Sequence, residues 1–169
     1  MKTIDKYLSQ ALDSYPFSLE STIESLDYAL SYDDKNATAL LLYARVHSEQ
    51  LMQYEEAKHY YERALAADIL AVEVYPYYIR TLVLNQDYEE AEKLIAFALT
   101  IKGIPKAEIL YGRVFLLEHL QRYKKALKAL AEVRLVAMNS WSDAFYDAAE
   151  KRLKTKQKFI SGKRKRKAD

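Results

Sequence analysis

Tyr54-Glu55-Glu56-Ala57 and Tyr88-Glu89-Glu90-Ala91 are the same four residues, 34 positions apart, and Tyr123-Lys124-Lys125-Ala126 follows 35 positions after the second. Each opens a stretch of helical period: Tyr54, Ala57, Tyr61, Ala64, Leu65; then Tyr88, Ala91, Ile95, Ala98, Leu99; then Tyr123, Ala126, Leu127, Leu130, Val133. Spacings of three, four and seven place each set on one helical face. Upstream, Tyr43-Ala44-Arg45, Tyr78-Ile79-Arg80 and Tyr111-Gly112-Arg113 repeat Tyr-x-Arg at separations of 35 and 33. The unit is therefore helix, short turn, helix, repeated at about 34 residues. A worn earlier copy runs Leu19, Ile23, Leu26, Ala29, Leu30.

These features resemble the tetratricopeptide repeat family, whose second helix opens with an aromatic, two polar residues and Ala. Its usual ending, Ala-Leu followed by an acid, is similar to Glu62-Arg63-Ala64-Leu65-Ala66-Ala67-Asp68. The first-helix signature departs from the family: Ala44 and Gly112 stand for its small residue, but Ile79 is bulky. The turns after Arg45 and Arg113 also read as longer than usual. The resemblance implies an all-α, right-handed solenoid of antiparallel helix pairs. We expect about four pairs and a C-terminal capping helix over residues 1–158, then a flexible basic tail, 159–169.

The expected helices are 3–14, 17–32, 37–51, 54–67, 72–84, 88–101, 105–119, 122–136 and 140–158. Pro105 suits a first helical position and Gly103 the end of the helix before it. Pro76 is tolerable only in a first turn, where N–H groups lack helical partners. In the last helix Ser140 with Asp143 resembles a capping box, and Trp141, Ala144, Phe145 and Ala148 form the expected apolar stripe. That helix should cover Leu130 and Val133.

Composition narrows the function. Half of the 169 residues are hydrophobic, with three Gly, three Pro and no Cys. A disordered chain, a disulfide framework and a thiol nucleophile are excluded. The charged start MKTIDKYLSQ does not read as a secretory signal, and no apolar run is long enough for a membrane span, so a cytoplasmic location is expected. His47, His59 and His119 lack metal-ligand spacing, and neither a Gly-rich phosphate loop nor a GxSxG elbow is present. Glu55/Glu56 and Glu89/Glu90 read as solvated helix starts complementing the dipole. No enzyme, cofactor or metal is expected. Of the 15 tyrosines, Tyr54, Tyr61, Tyr88 and Tyr123 fall at core-type positions, while Tyr75, Tyr77 and Tyr78 cannot all face one core.

The resemblance further implies that the residue after the small position lines the concave groove, which puts Arg45, Arg80 and Arg113 on successive groove walls. Guanidiniums there would hold a carboxylate or phosphate by forked hydrogen bonds; alternatively each pairs with a neighbouring acid such as Glu49, Glu73 or Glu108. Glu49 and Leu116 are flanking groove positions. The subclass that clamps acidic C-terminal peptides with Lys, Asn and Arg is not matched, because the corresponding neighbourhood holds Leu41, Leu42, Val46, Tyr77 and Ile109. The expected role is an adaptor or scaffold that binds a peptide or partner helix, with an acidic partner suiting the arginines.

Charge supplies the second hypothesis. Residues 1–150 hold 16 Lys+Arg against 23 Asp+Glu, whereas 151–169 hold 10 against one. Gly162 marks an expected end of helix, and Lys163, Arg164, Lys165, Arg166 and Lys167 form an unbroken cationic run. Such a run binds nucleic acid or an anionic membrane surface by counterion release, serves as an address, or merely solubilises.

Overall fold

The computed structural model describes the backbone of residues 3–137 and 143–165, and the side chains of 6–137 and 143–161. The described residues contain helices and turns, with no strand. They fall into two compact units, Met1–Gln86 and Asp87–Asp169. Among the described residues no helix is long and apolar enough to cross a membrane.

The first unit holds α1 (Thr3–Ser14), α2 (Leu19–Tyr32), α3 (Ala37–Arg45), α4 (Tyr54–Ala67) and α5 (Val74–Leu84). α1 packs on α2 and α3 on α4, with α2 also meeting α3 and α4 meeting α5. Asn36 starts α3, its side-chain oxygen accepting the Ala39 N–H at 2.9 Å, and Glu55 and Glu56 occupy the first turn of α4. The apolar faces meet in a core of Ala11, Leu26, Ala29, Ala39, Leu42 and Val46. Tyr61 is fully buried and stacks on Tyr78 with ring centroids 5.2 Å apart. Of the three clustered tyrosines, Tyr75 and Tyr78 are buried and Tyr77 lies half-exposed. Pro76 falls in the first turn of α5, where a missing N–H breaks no helical bond.

The second unit holds α6 (Tyr88–Ala98), α7 (Lys106–His119), α8 (Tyr123–Val136) and α9 (Asp143–Lys165). α7 packs on α6 and α8, and α8 on α9. Val114, Ala126, Ala129, Leu130 and Val133 form a core with Tyr146, Ala149 and Leu153 of α9, so the last helix does cover the Leu130 and Val133 face.

Four sequence expectations need correction. α9 buries Tyr146, Ala149 and Leu153, while Ala144, Phe145 and Ala148 of the expected stripe are exposed; Ser140 and Trp141 lie outside the described residues. The reason is continuation: the stripe through Phe145 and Ala148 runs next into Arg152, whereas the one through Tyr146 and Ala149 continues to Leu153. α9 also runs on through Gly162 to Lys165 instead of ending at 158. One interior glycine costs only about 1 kcal/mol, and the Lys163, Arg164 and Lys165 that follow it are good helix formers. α6 stops at Ala98, three residues early, and Gly103 at φ 84° makes a turn further on. Pro105 stands at the N-cap of α7, one position before the helix. After Arg45 the helix continues as a π-helical turn over Val46–Gln50, and α7 runs to His119, in keeping with the expected ends at 51 and 119.

The turn into each repeated Tyr keeps one geometry. Met52, Gln86 and Gln121, each two residues before that Tyr, have φ of 55°, 68° and 56°. Left-handed backbone at three non-glycine residues is uncommon. Its recurrence shows that the sequence repeat is also a repeat of local conformation.

Candidate functional site

Arg45, at the end of α3, has its guanidinium over two aromatic rings of the first unit. Its guanidinium carbon is 4.9 Å from the centroid of Tyr15 and 4.3 Å from that of Tyr77. Its Nε and Nη2 donate to the two carboxylate oxygens of Glu49, each at 3.2 Å. The Tyr15 hydroxyl donates to Glu49 Oε2. Thus the turn after α1, the α3 segment and α5 are tied together by one cation, one carboxylate and two rings. Burial opposes the Arg45 charge, but Glu49 outweighs it and raises the pKa. Burial, then the bond to Glu49, raises that of Tyr15. The half-exposed site is already neutral and held in shape.

The expected partner-binding residues therefore occupy different settings. Arg45 and Glu49 take each other as partners, which is the acid-pairing alternative at that position. Arg80 is exposed on α5, one turn beyond Tyr77 and on the same face. Arg113 is half-buried on α7, in the second unit. Leu116 is only 3% exposed, so it offers no surface, because α7 is packed by both α6 and α8. Of the tail residues, Lys163, Arg164 and Lys165 have helical backbone in α9, and Arg166 and Lys167 lie outside the described residues.

Two further aromatic groups mark the first unit. Tyr43, Tyr60 and His47 stack within 5.4 Å of one another, with the Tyr43 hydroxyl donating to Asp27 at 2.9 Å. Tyr7 stacks on Tyr28 and Tyr32, both exposed. His47 Nδ1 pairs with Gln53 Oε1 at 2.8 Å and His119 Nδ1 with the Phe115 carbonyl at 2.9 Å. Among the described residues no three His, Asp or Glu side chains are grouped to hold a metal.

In the second unit the sequence reading missed a buried carboxylate. Glu118 of α7, 5% exposed, accepts Arg152 Nε and Nη2 at 2.9 Å each and Lys156 Nζ at 2.7 Å. The bonds from Arg152, opposed by burial and helped by Lys156, hold its pKa at about 2. On the neighbouring helix Arg134 bonds Asp147 at 2.7 Å and Glu150 at 3.2 Å. These pairs flank the Tyr146–Leu153 stripe and fix the rotation of α9. Neither partner of Glu118 nor the rings around Arg45 could be found from local spacing, since 34 residues separate Tyr15 from Glu49 and Glu118 from Arg152.

No family model matches the sequence, and no curated protein matches it significantly.

Proposed function

We propose that this chain is a non-catalytic protein-interaction module, a tetratricopeptide-like solenoid that holds a peptide or partner helix on its first unit, across the faces of α3 and α5 that carry Arg45, Tyr77 and Arg80. The observation that carries the reading is the Tyr15–Arg45–Tyr77 cluster. Its rings are half-exposed and already ordered, so a ligand packing on them loses little further side-chain entropy to the protein. Aromatic and arginine side chains in such settings dominate binding energy at protein interfaces. Arg80 sets an exposed positive charge one turn from Tyr77, which favours a ligand with an acid beside its apolar contact. The recurring left-handed turns support the solenoid part of the reading.

The test is affinity capture with the full chain, Tyr77→Ala and Arg80→Glu, followed by titration of any differentially retained protein in purified form. Losing a central aromatic contact costs about 2 kcal/mol or more, so Kd for Tyr77→Ala should rise roughly 30-fold. Partners held equally by all three proteins would refute the site. So would backbone protection from hydrogen exchange confined to segments other than 43–50 and 74–81 in the complex.

A further inference from the structure

We propose that the second unit carries a sequence-indifferent docking groove for single-stranded nucleic acid, between the turn leading into α8 and the C-terminal half of α9. The groove, about 480 Å³, is lined by Gln121, Arg122, Tyr123, Lys124 and Lys125 on one side and by Gln157, Ile160 and Ser161 on the other. Its lining has three cations, two amides and two hydroxyls, and no acid. Arg122, Lys124 and Lys125 are exposed, and among the described residues none of them forms an ion pair.

The charges lie where folding alone would not put them. α4 and α6 open with Glu55-Glu56 and Glu89-Glu90, as the helix dipole favours, but α8 opens with Lys124-Lys125 and has no acid in its first turn. Two like charges at the positive end of a helix oppose stability, and local rules are broken in this way mainly where a ligand compensates. The opposite wall, Gln157, Ile160 and Ser161, is uncharged; α9 carries Lys151, Lys154 and Lys158 along its length, Lys154 paired with Glu150, and its helical backbone continues through Lys163, Arg164 and Lys165. From Lys151 to Lys165 the helix extends roughly 21 Å at about 1.5 Å per residue, long enough to follow several phosphates in line.

The shape selects the occupant. A cavity of about 480 Å³ takes about one nucleotide's base and sugar, which an unpaired strand offers and a base-paired duplex does not. Amide and hydroxyl groups between the cations suit phosphate and sugar oxygens, and no element enters position to read base edges. A flat anionic bilayer would meet the exposed rim but not the groove.

The experiment titrates the full chain against fluorescein-labelled oligo(dT) and oligo(U) 15-mers by anisotropy, at 50 and 200 mM salt. The main variant is Lys124→Glu/Lys125→Glu, which restores the acidic opening of α4 and α6 and so favours the helix. Gln157→Glu, on the other wall, serves as an independent second variant. Circular dichroism melts accompany each. The expected result is binding that weakens with salt, at least a tenfold loss in both variants, and a salt slope reduced by about one or more in the double variant. The proposal is overturned if the full chain does not bind at 50 mM salt. It is also overturned if both variants bind like the parent, which would assign any binding to the tail alone. Tighter binding to phosphatidylserine vesicles than to either oligonucleotide would overturn it in favour of a membrane surface.

Discussion

Glu118→Gln removes one negative charge from beneath Arg152 and Lys156 while keeping the shape of the side chain. Glu118 is buried and accepts three charge-assisted hydrogen bonds of 2.7–2.9 Å from α9. Holding its carboxyl at about 2 rather than 4.5 corresponds to at most about 3 kcal/mol, at 1.36 kcal/mol per pH unit. The Arg152 and Lys156 side chains are 43% and 47% exposed, so water screens part of this and roughly 2 kcal/mol is expected. For a chain of this length that lowers Tm by roughly 4–8 °C at pH 7. The pH dependence supplies the sharper test. A depressed folded-state pKa contributes stability that is fully present above about 4.5 and lost as pH falls toward 2. Urea denaturation of both proteins between pH 7 and pH 2.5 should therefore show a gap that narrows below pH 4.5, with the parent falling toward the variant. A gap of the same size at every pH, or equal stability at pH 7, would refute the reasoning.

Arg45→Ala should cost about 1–2 kcal/mol in urea denaturation by removing the cation that Glu49 and two rings hold, whereas Arg80→Ala, at an exposed position, should cost less than about 1 kcal/mol. Leu153→Ala should destabilise by about 2–5 kcal/mol and Phe145→Ala by far less, a comparison of melting curves that reads which face of α9 is inside. At the left-handed turn before α8, Gln121→Gly should be neutral or stabilising. There Gln121→Val should cost about 1–2 kcal/mol, measured by the same melts, because a β-branched side chain crowds φ near 56°.

Most of the helical architecture can be read from the sequence because its signals are local and repeated. The Tyr-x-x-Ala opening and its apolar face place α4 at Tyr54–Ala67 to the residue. Legibility fails where a choice is settled by residues far away. Phe145 and Tyr146 are adjacent aromatics, and only the pairs with Glu118 and Arg134, together with Leu153, decide which one turns inward. At Gly162 a single weak helix former does not end the helix, which continues to Lys165. The recurrence of Arg45, Arg80 and Arg113 was visible, but the three differ in setting because their neighbours are not repeated. Tyr15 comes from the turn after α1 and has no counterpart at the other positions. The groove beside α8 combines two segments more than 30 residues apart, and its only sequence signal was the change from Glu-Glu to Lys-Lys.

The left-handed turns have a bearing on how such a chain can be cut and rejoined. Arg45, Arg80 and Arg113 lie 9, 8 and 10 residues before the tyrosines that open α4, α6 and α8, yet the turn residue keeps its place two positions ahead of each Tyr. Differences in length are thus absorbed upstream, in the π-helical turn after Arg45 and the longer α7, and the following helix always starts from the same backbone geometry. Cassettes exchanged just before Met52, Gln86 or Gln121 would each bring their own entry geometry. A junction placed at the tyrosines would instead separate a helix from the turn that aims it.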